Sequence, residues 1–219
     1  MTHSRIIAIG DIHGHSAALK SILDLASPRQ EDTVVFLGDY IDRGPDSRGV
    51  IEQVIDLADH CQVVSLLGNH EEMFLDALAD GRYLRTWLEN GGEAALKSYG
   101  TDHDISKIPG GHIDFLSNLR RFYDTDSHFF IHANYAPNWP LEQHDSNTAL
   151  WLPLAEIPGP HYSGKIAVVG HTPQSKGEIL DCGHLICIDT GCGFGGFLTA
   201  LDVTDGQIWQ VDEQGRATT

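Results

Sequence analysis

One pattern recurs three times in the first eighty residues: a short apolar run, a polar turn and an amphipathic helical segment. Arg5–Gly10 runs into Asp11-Ile12-His13-Gly14-His15, and a helix is expected from Ser16, its N-cap, with Ala18, Leu19, Ile22, Leu23 and Leu25 on the apolar side. Thr33–Gly38 leads to Asp39-Tyr40-Ile41-Asp42-Arg43-Gly44-Pro45 and a helix near Ser47–Asp59. Gln62–Gly68 leads to Asn69-His70-Glu71 and a helix near Glu71–Asp80. Short buried strands alternating with amphipathic helices make βαβ units and a parallel sheet. Ligands of such sheets bind outside the carboxyl ends of the strands. Asp11, His13, Asp39, Asp42, Arg43, Asn69 and His70 are therefore expected to converge.

Beyond these units, Gly81–Asp126 reads as helical and polar, broken by Gly91-Gly92, Gly100 and Pro109-Gly110-Gly111. Strands return at His128–His132, Lys165–Gly170, His184–Asp189, Phe197–Val203 and Gln207–Val211, with Asp205-Gly206 as a hairpin signal between the last two. Pro137–Gly164 holds five of the nine prolines and reads as a long surface excursion. No linker or low-complexity tract interrupts the chain, so residues 1–219 are read as one domain. Asp and Glu total 31 against 14 Lys and Arg, a net charge of −17 that argues against nucleic acid as a partner. A small phosphorylated substrate stays open, because a metal or one arginine can reverse the field locally. No apolar run reaches the roughly 18 residues of a membrane span, and Met1-Thr2-His3-Ser4-Arg5 has no secretory apolar stretch. With no CxxC spacing among Cys61, Cys182, Cys187 and Cys192, reduced thiols, a cytoplasmic location and no membrane partner are expected.

Two carboxylates, a carboxamide and several imidazoles on one edge make the ligand set of a divalent metal site. Asp11 and His13, two apart in an irregular turn, can bend onto one ion. Asp39 ends the neighbouring strand, where a carboxylate can bridge two ions, and Asn69 offers a neutral carbonyl oxygen. Phe129-Phe130-Ile131-His132 and Val168-Val169-Gly170-His171 end in the same way, so ligand-type residues close five strands.

GDIHG (Gly10–Gly14), GDYIDRG (Gly38–Gly44) and GNHE (Gly68–Glu71) resemble the three signature motifs of the PPP-type metallophosphoesterases. That family includes eukaryotic serine/threonine phosphatases, bacteriophage lambda phosphatase and bacterial diadenosine tetraphosphatases. The spacing is similar too, with 23 residues between the first and second motifs (15–37) and 23 between the second and third (45–67). IHAN and GHT stand where the family has its later metal histidines, His132 and His171 here. Trp87-Leu88-Glu89-Asn90-Gly91-Gly92 and Asp189-Thr190-Gly191 are similar to segments of bacterial members.

The resemblance implies a four-layer α/β sandwich, two mixed β-sheets with helices outside. It implies two divalent ions, Mn first with Fe or Zn also suited, one held by Asp11, His13 and Asp39, the other by Asp39, Asn69, His132 and His171. The implied reaction is in-line displacement at phosphorus by a hydroxide shared between the ions. Arg43 grips the phosphoryl oxygens, His70 protonates the leaving oxygen, and Asp42 holds that imidazole. Arg43, Asn69 and His70 thus form the substrate-binding set. A phosphorylated protein carrying phosphoserine or phosphothreonine, or a small phosphoester, is the leading substrate class, with dinucleoside polyphosphates as the alternative.

The chain departs from the pattern at its rim. Asn134 replaces a glycine after the fourth metal residue. Ala149-Leu150-Trp151-Leu152-Pro153-Leu154 lacks the arginine of bacterial relatives, and Phe194 and Phe197 replace a tyrosine and a basic residue around Gly195-Gly196. The ligand set is intact and the outer phosphate grip is altered. His15 is read as a surface or supporting residue, His184 as no zinc ligand and Cys192 as inert packing. Trp139, Trp151 and Tyr162 are expected to pack the proline-rich excursion.

Overall fold

A computed structural model describes residues 4–218; Thr219 and the Met1-Thr2-His3 part of the expected non-secretory start lie outside the described residues. The three opening units form as expected. They are β1 (Ile6–Ile9) and α1 (Ser16–Ala26), β2 (Thr33–Phe36) and α2 (Ser47–Leu57), and β3 (Gln62–Ser65) and α3 (Asn69–Ala79). Branched residues favour the pleated strands, and Ala18, Leu19, Ile22 and Ala26 are the side of α1 that is buried. His15 rather than Ser16 caps α1, and the Ser16 hydroxyl instead donates to Asp46 Oδ2 at 2.6 Å. α3 starts two residues before Glu71, because the Glu71 carboxylate accepts the Gly68 N–H at 3.1 Å and so closes the first turn. α4 (Leu84–Trp87), α5 (Glu93–Ser98) and α6 (Gly110–Ser117) fill the polar middle, which ends in a strand its composition hid, β4 (Phe122–Asp124). β5 (His128–Ile131), β6 (Ile166–Val169), β7 (Leu180–Asp181), β8 (Leu185–Cys187), β9 (Phe197–Asp202) and β10 (Ile208–Asp212) complete the fold. The two-residue β7 is too short to leave a periodic signal.

Both sheets have five strands and both are mixed. The first runs β10-β9-β1-β2-β3, with β1, β2 and β3 parallel (Ile6 opposite Thr33, Thr33 opposite Gln62) and the β9–β10 hairpin antiparallel. The second runs β4-β5-β6-β8-β7, with β5, β6 and β8 parallel and an antiparallel strand at each edge. Helices cover one face of the first sheet, where Ile7, Ile9, Val34 and Phe36 meet Leu19, Ile22, Val50, Val54 and Phe74. The sheets face each other through Ala8, Val35, Leu37, Val64, Phe130, Val168, Ile188 and Leu201.

The excursion is not confined to the surface. A 3₁₀ turn (Leu141–Gln143) and a π-helical turn (Asn147–Trp151) bring Leu141, Ala149 and Leu150 onto Phe129, Ile131, Ala167 and Leu185 of the second sheet. That packing makes the fourth layer, at about 1.5–3 kcal/mol per fully buried large side chain. His144 accepts the Ala136 N–H at 2.7 Å and His161 donates to Trp139 O at 2.9 Å, so two of the histidines brace this layer. Trp139, Trp151 and Tyr162, expected to pack inside it, are 52%, 38% and 62% exposed instead. Leu141, Ala149, Leu150 and Leu154 fill the layer with Tyr135, and these three rings stay at its surface. Among the described residues no helix is long and apolar enough to cross a membrane.

Candidate metal centre

The polar turns after β1, β2, β3, β6 and β8 meet in one cavity of about 70 Å³, lined by Asp11, His13, Asp39, Arg43, Asn69, His70, His171, Pro173, Asp189 and Phe194. His132 ends β5 and reaches the same cluster, with its Nε2 3.1 Å from Asn69 Oδ1. Holding these turns open strains the backbone. Of the six described non-glycine residues at positive φ, five are here: His13, Asp39, Asp42, Arg43 and His171. Such conformations cost of order 1–3 kcal/mol each and persist only where the surroundings enforce them. Glu71 is the main enforcer: its buried carboxylate accepts the N–H groups of Asp39 at 2.9 Å, Tyr40 at 2.8 Å and Ile41 at 3.3 Å. Burial, with Asp39 nearby, pushes its carboxyl up to about 8. The Asp39 carbonyl in turn accepts the Ile12 and His13 N–H groups at 3.0 and 2.8 Å, tying the first turn to the second.

The imidazoles fall into two kinds. His132 Nδ1 donates to Leu37 O at 2.8 Å, His171 Nε2 to Trp151 O at 3.1 Å, and His13 Nδ1 to Ile41 O at 3.2 Å. Burial lowers the pKa of all three, His171 to about 4, so each ring is neutral near pH 7. A neutral ring that donates through one nitrogen presents a bare lone pair at the other. The His132 and His171 lone pairs face Asn69 Oδ1, itself an acceptor, at 3.1 and 3.0 Å, and His132 also faces Asp39 Oδ1 at 3.6 Å. The His13 lone pair faces Asp39 Oδ2 at 3.5 Å and is shared with the Arg43 guanidinium. Acceptors converging on acceptors are resolved by a cation, and carbonyl-anchored imidazoles are the usual form of metal ligands. Asp39, His132 and His171 form one tight donor group among the described residues.

His70 is the other kind. Its Nδ1 donates to Asp42 Oδ2 at 2.7 Å. Burial works against its charge, but Asp39 and Asp42 outweigh it and raise its pKa. Asp42 is fully buried and accepts from Trp87 Nε1 at 3.0 Å; burial lifts its carboxyl to about 6 against the pull of His70. An imidazole whose proton affinity is raised is a poorer ligand and a better-suited acid. Its donor atom nevertheless groups with His13 and Asp39, close to where the sequence assigned Asp11.

Asp11 lines the cavity without joining either tight donor group; its carboxylate accepts the His171 N–H at 3.0 Å. Burial, then Asp189 and Asp39, raise its pKa well above the carboxylate range. Asp39 goes the other way: burial opposes its charge, yet the surrounding imidazoles hold it low. Asp189 is not among the expected ligands or catalytic residues. It is buried, its Oδ1 accepts the Gly191 N–H at 2.9 Å, and burial lifts its carboxyl to about 7. The signal was there, since β8 runs out into Asp189 just as β1 and β2 run out into Asp11 and Asp39. Three carboxylates confined around one cavity repel one another until a cation offsets them.

Arg43 is exposed, with its guanidinium carbon 4.3 Å from the centre of the Phe194 ring. The residue in the tyrosine's place therefore supports the arginine rather than hydrogen-bonding a ligand. Gly91, at φ 114, lets its carbonyl accept the Arg43 N–H at 3.2 Å, and a Cβ there would sit 2.8 Å from Arg43 N. His15 lies 3.6 Å from Glu213, His184 is bonded to backbone carbonyls, and Cys192 is buried with its thiol pKa raised by burial.

Residues 4–179 match the family model of the calcineurin-like phosphoesterases. The chain is 31% identical to serine/threonine-protein phosphatase 1 of Salmonella typhimurium, over 87% of this chain and 88% of that one. It is 32% identical to the symmetrical bis(5'-nucleosyl)-tetraphosphatase of a Janthinobacterium species, over 93% and 94%. A crystal structure of a candidate diadenosine tetraphosphatase superposes with a TM-score of 0.73 at 24% identity, covering 95% of this chain and 93% of that one. The fold, the cation-seeking cluster and the match over most of its length agree: the chain belongs to the calcineurin-like phosphoesterases, a family of hydrolases that use divalent metals.

Proposed function

We propose that the protein is a divalent-metal-dependent phosphomonoesterase that acts on phosphoserine and phosphothreonine in other proteins. The observation that carries the metal dependence is the pair of neutral imidazoles, His132 and His171, aiming lone pairs at the same Asn69 oxygen. Asp39, Asn69, His132 and His171 would hold one ion and Asp11, His13 and Asp39 the other, with manganese first and iron or zinc also suited to the donors. When bound, such ions supply Lewis-acid polarisation of the phosphoryl group and water activated at neutral pH.

The chain's own residues do the rest. Arg43, backed by Phe194, presents its fork to the phosphoryl oxygens and stabilises the charge that builds there. His70, held by Asp42, carries a proton to the leaving oxygen. Asn69 and His70 line the same cavity as Arg43 and fix where the phosphoryl group sits.

The Salmonella relative, matched over nearly the full length of both chains, supports the protein-phosphatase reading. A second reading, hydrolysis of dinucleoside polyphosphates, is favoured by the tetraphosphatase relatives. A glycine-rich cavity of about 310 Å³ beyond Phe194, lined by Lys176, Gly191, Gly195 and Gly196, could take further phosphates on that reading. Steady-state kinetics with added Mn²⁺ on phosphoserine and phosphothreonine peptides and on diadenosine tetraphosphate decides between them. Higher kcat/KM on the peptides is expected; higher kcat/KM on the dinucleotide moves the protein to the second reading.

A further inference from the structure

A second cavity, about 230 Å³, opens beside the metal centre between α3, α4 and the π-helical turn that covers the second sheet. Its walls include the rings of Tyr83, Trp87 and Trp151, with Asp76 and Asn90 supplying polar atoms. Two of its lining residues hydrogen-bond to residues of the metal-centre cluster. Trp87 donates to Asp42, the residue that holds His70, and the Trp151 carbonyl accepts from His171. A group bound here is therefore a close neighbour of one whose phosphate meets Arg43.

The chemistry of the walls selects a cation. Tyr83 and Trp151 are 50% and 38% exposed, so their π-faces are available to a ligand. The Asp76 carboxylate is exposed and has no hydrogen-bond or ion-pair partner among the described residues. Asn90 spends its amide nitrogen on Thr86 O at 2.8 Å, which leaves its oxygen as an acceptor. Glu72, which does not itself line the cavity, accepts from Trp151 Nε1 at 2.6 Å and holds that ring in place. No lysine or arginine lines the cavity, and the adjacent Arg82 and Arg85 are already paired with Asp80 and Glu89. Aromatic faces with a carboxylate at the edge bind ammonium and guanidinium groups. The size points the same way, since drug-sized ligands occupy roughly 300–1,000 Å³ and this cavity suits one long side chain.

We propose that this cavity is a subsite for one arginine or lysine side chain of a phosphopeptide substrate, close in sequence to the phosphorylated residue. The subsite rests on the protein-phosphatase reading and sharpens it to basic phosphopeptides. The test is a set of phosphoserine peptides in which arginine is scanned from three residues before to three after the phosphoserine, each paired with a norleucine control. At one or two positions kcat/KM for arginine exceeds that for norleucine by about tenfold, a ratio in which effects on the shared chemistry cancel. Asp76→Asn and Trp151→Leu, both changes at exposed side chains, each cut that ratio to about threefold or less. Peptides cleaved with no arginine preference, or with a preference intact in both variants, would overturn the subsite and leave the phosphatase reading standing. Cleavage of diadenosine tetraphosphate but of none of the peptides would overturn both.

Discussion

At Asp42 and His70 two perturbed groups answer one need. The buried carboxylate raises the imidazole's affinity for a proton and fixes its direction, while Trp87 Nε1 donates to both oxygens of the same carboxylate at 3.0 Å. His70→Asn removes the group proposed as the acid, together with the positive charge its protonated ring sets beside Asp42, and kcat is expected to fall by about 10²–10⁴-fold on alkyl phosphates. The loss shrinks for an aryl phosphate, whose leaving group needs little protonation; equal losses on the two would assign His70 to positioning instead. The placement of the converging residues was legible in the sequence. Asp11, His13, Asp39, Asn69, His70, His132 and His171 each sit at the end of an apolar run, which a reader can see. The two kinds of histidine were not legible, because the distinction lies in the partner of the second ring nitrogen. Leu37, Ile41 and Trp151 supply those partners through backbone carbonyls, and a carbonyl has no sequence signature.

Among the elements, the turns after β1 and β2 are positioned by groups well outside the motifs. Gly91, in the helical segment after α4, anchors the Arg43 backbone. Gly91→Ala is expected to lower stability by about 1–3 kcal/mol, the scale of a strained φ, and to raise KM more than it lowers kcat, because it displaces the residue proposed to grip the phosphate. Titration calorimetry with phosphate and denaturant melts measure the two effects. A separate anchor ties the start of β1 to the loop before β2. Asp32, fully buried, accepts from Arg5 Nη2 at 2.6 Å and from Arg29 Nη2 at 3.0 Å, and Asp202 lies 4.0 Å from Arg5 Nε. Burial opposes the Asp32 charge, but the two guanidinium groups outweigh it and hold the carboxyl well below its ordinary range. A pKa depressed on folding gives stability that is present above the unfolded value of about 3.9 and lost as pH falls through the folded one. Asp32→Asn is expected to cost about 2–3 kcal/mol at pH 7. The gap between wild type and variant should narrow steadily below about pH 4; a gap unchanged at pH 3 would deny the ion pair its role. The elements themselves were legible where periodicity ran long enough. β4 and β7 were not, being too short, and the excursion misled because prolines suggest surface while Leu141, Ala149 and Leu150 pack inward.

Over the whole molecule, 31 acidic and 14 basic residues surround a site whose own charges are mostly carboxylates. Arg43 is the one lysine or arginine among the described residues that line that cavity, so substrates bearing nearby negative charge are expected to be repelled by the surrounding surface and those bearing positive charge drawn in. kcat/KM on a basic phosphopeptide is therefore expected to fall as salt rises from about 20 to 200 mM, and on an acidic one to rise, as the Debye length shortens. Parallel salt responses for the two peptides would show that the overall charge plays no part. The two mixed sheets could be named from sequence through the motifs, yet their order could not, because pairing is set by which buried faces meet across the chain. Central to the account is the cation that the converging acceptors require. The direct measurement is metal content by elemental analysis alongside turnover of an aryl phosphate, before chelation, after exhaustive chelation, and after adding back Mn²⁺, with Asp39→Asn carried in parallel. Metal and activity are predicted to leave and return together in the wild type, while the variant, lacking the carboxylate that faces both histidine groups, recovers neither. Full turnover by protein shown to contain no metal would contradict the account.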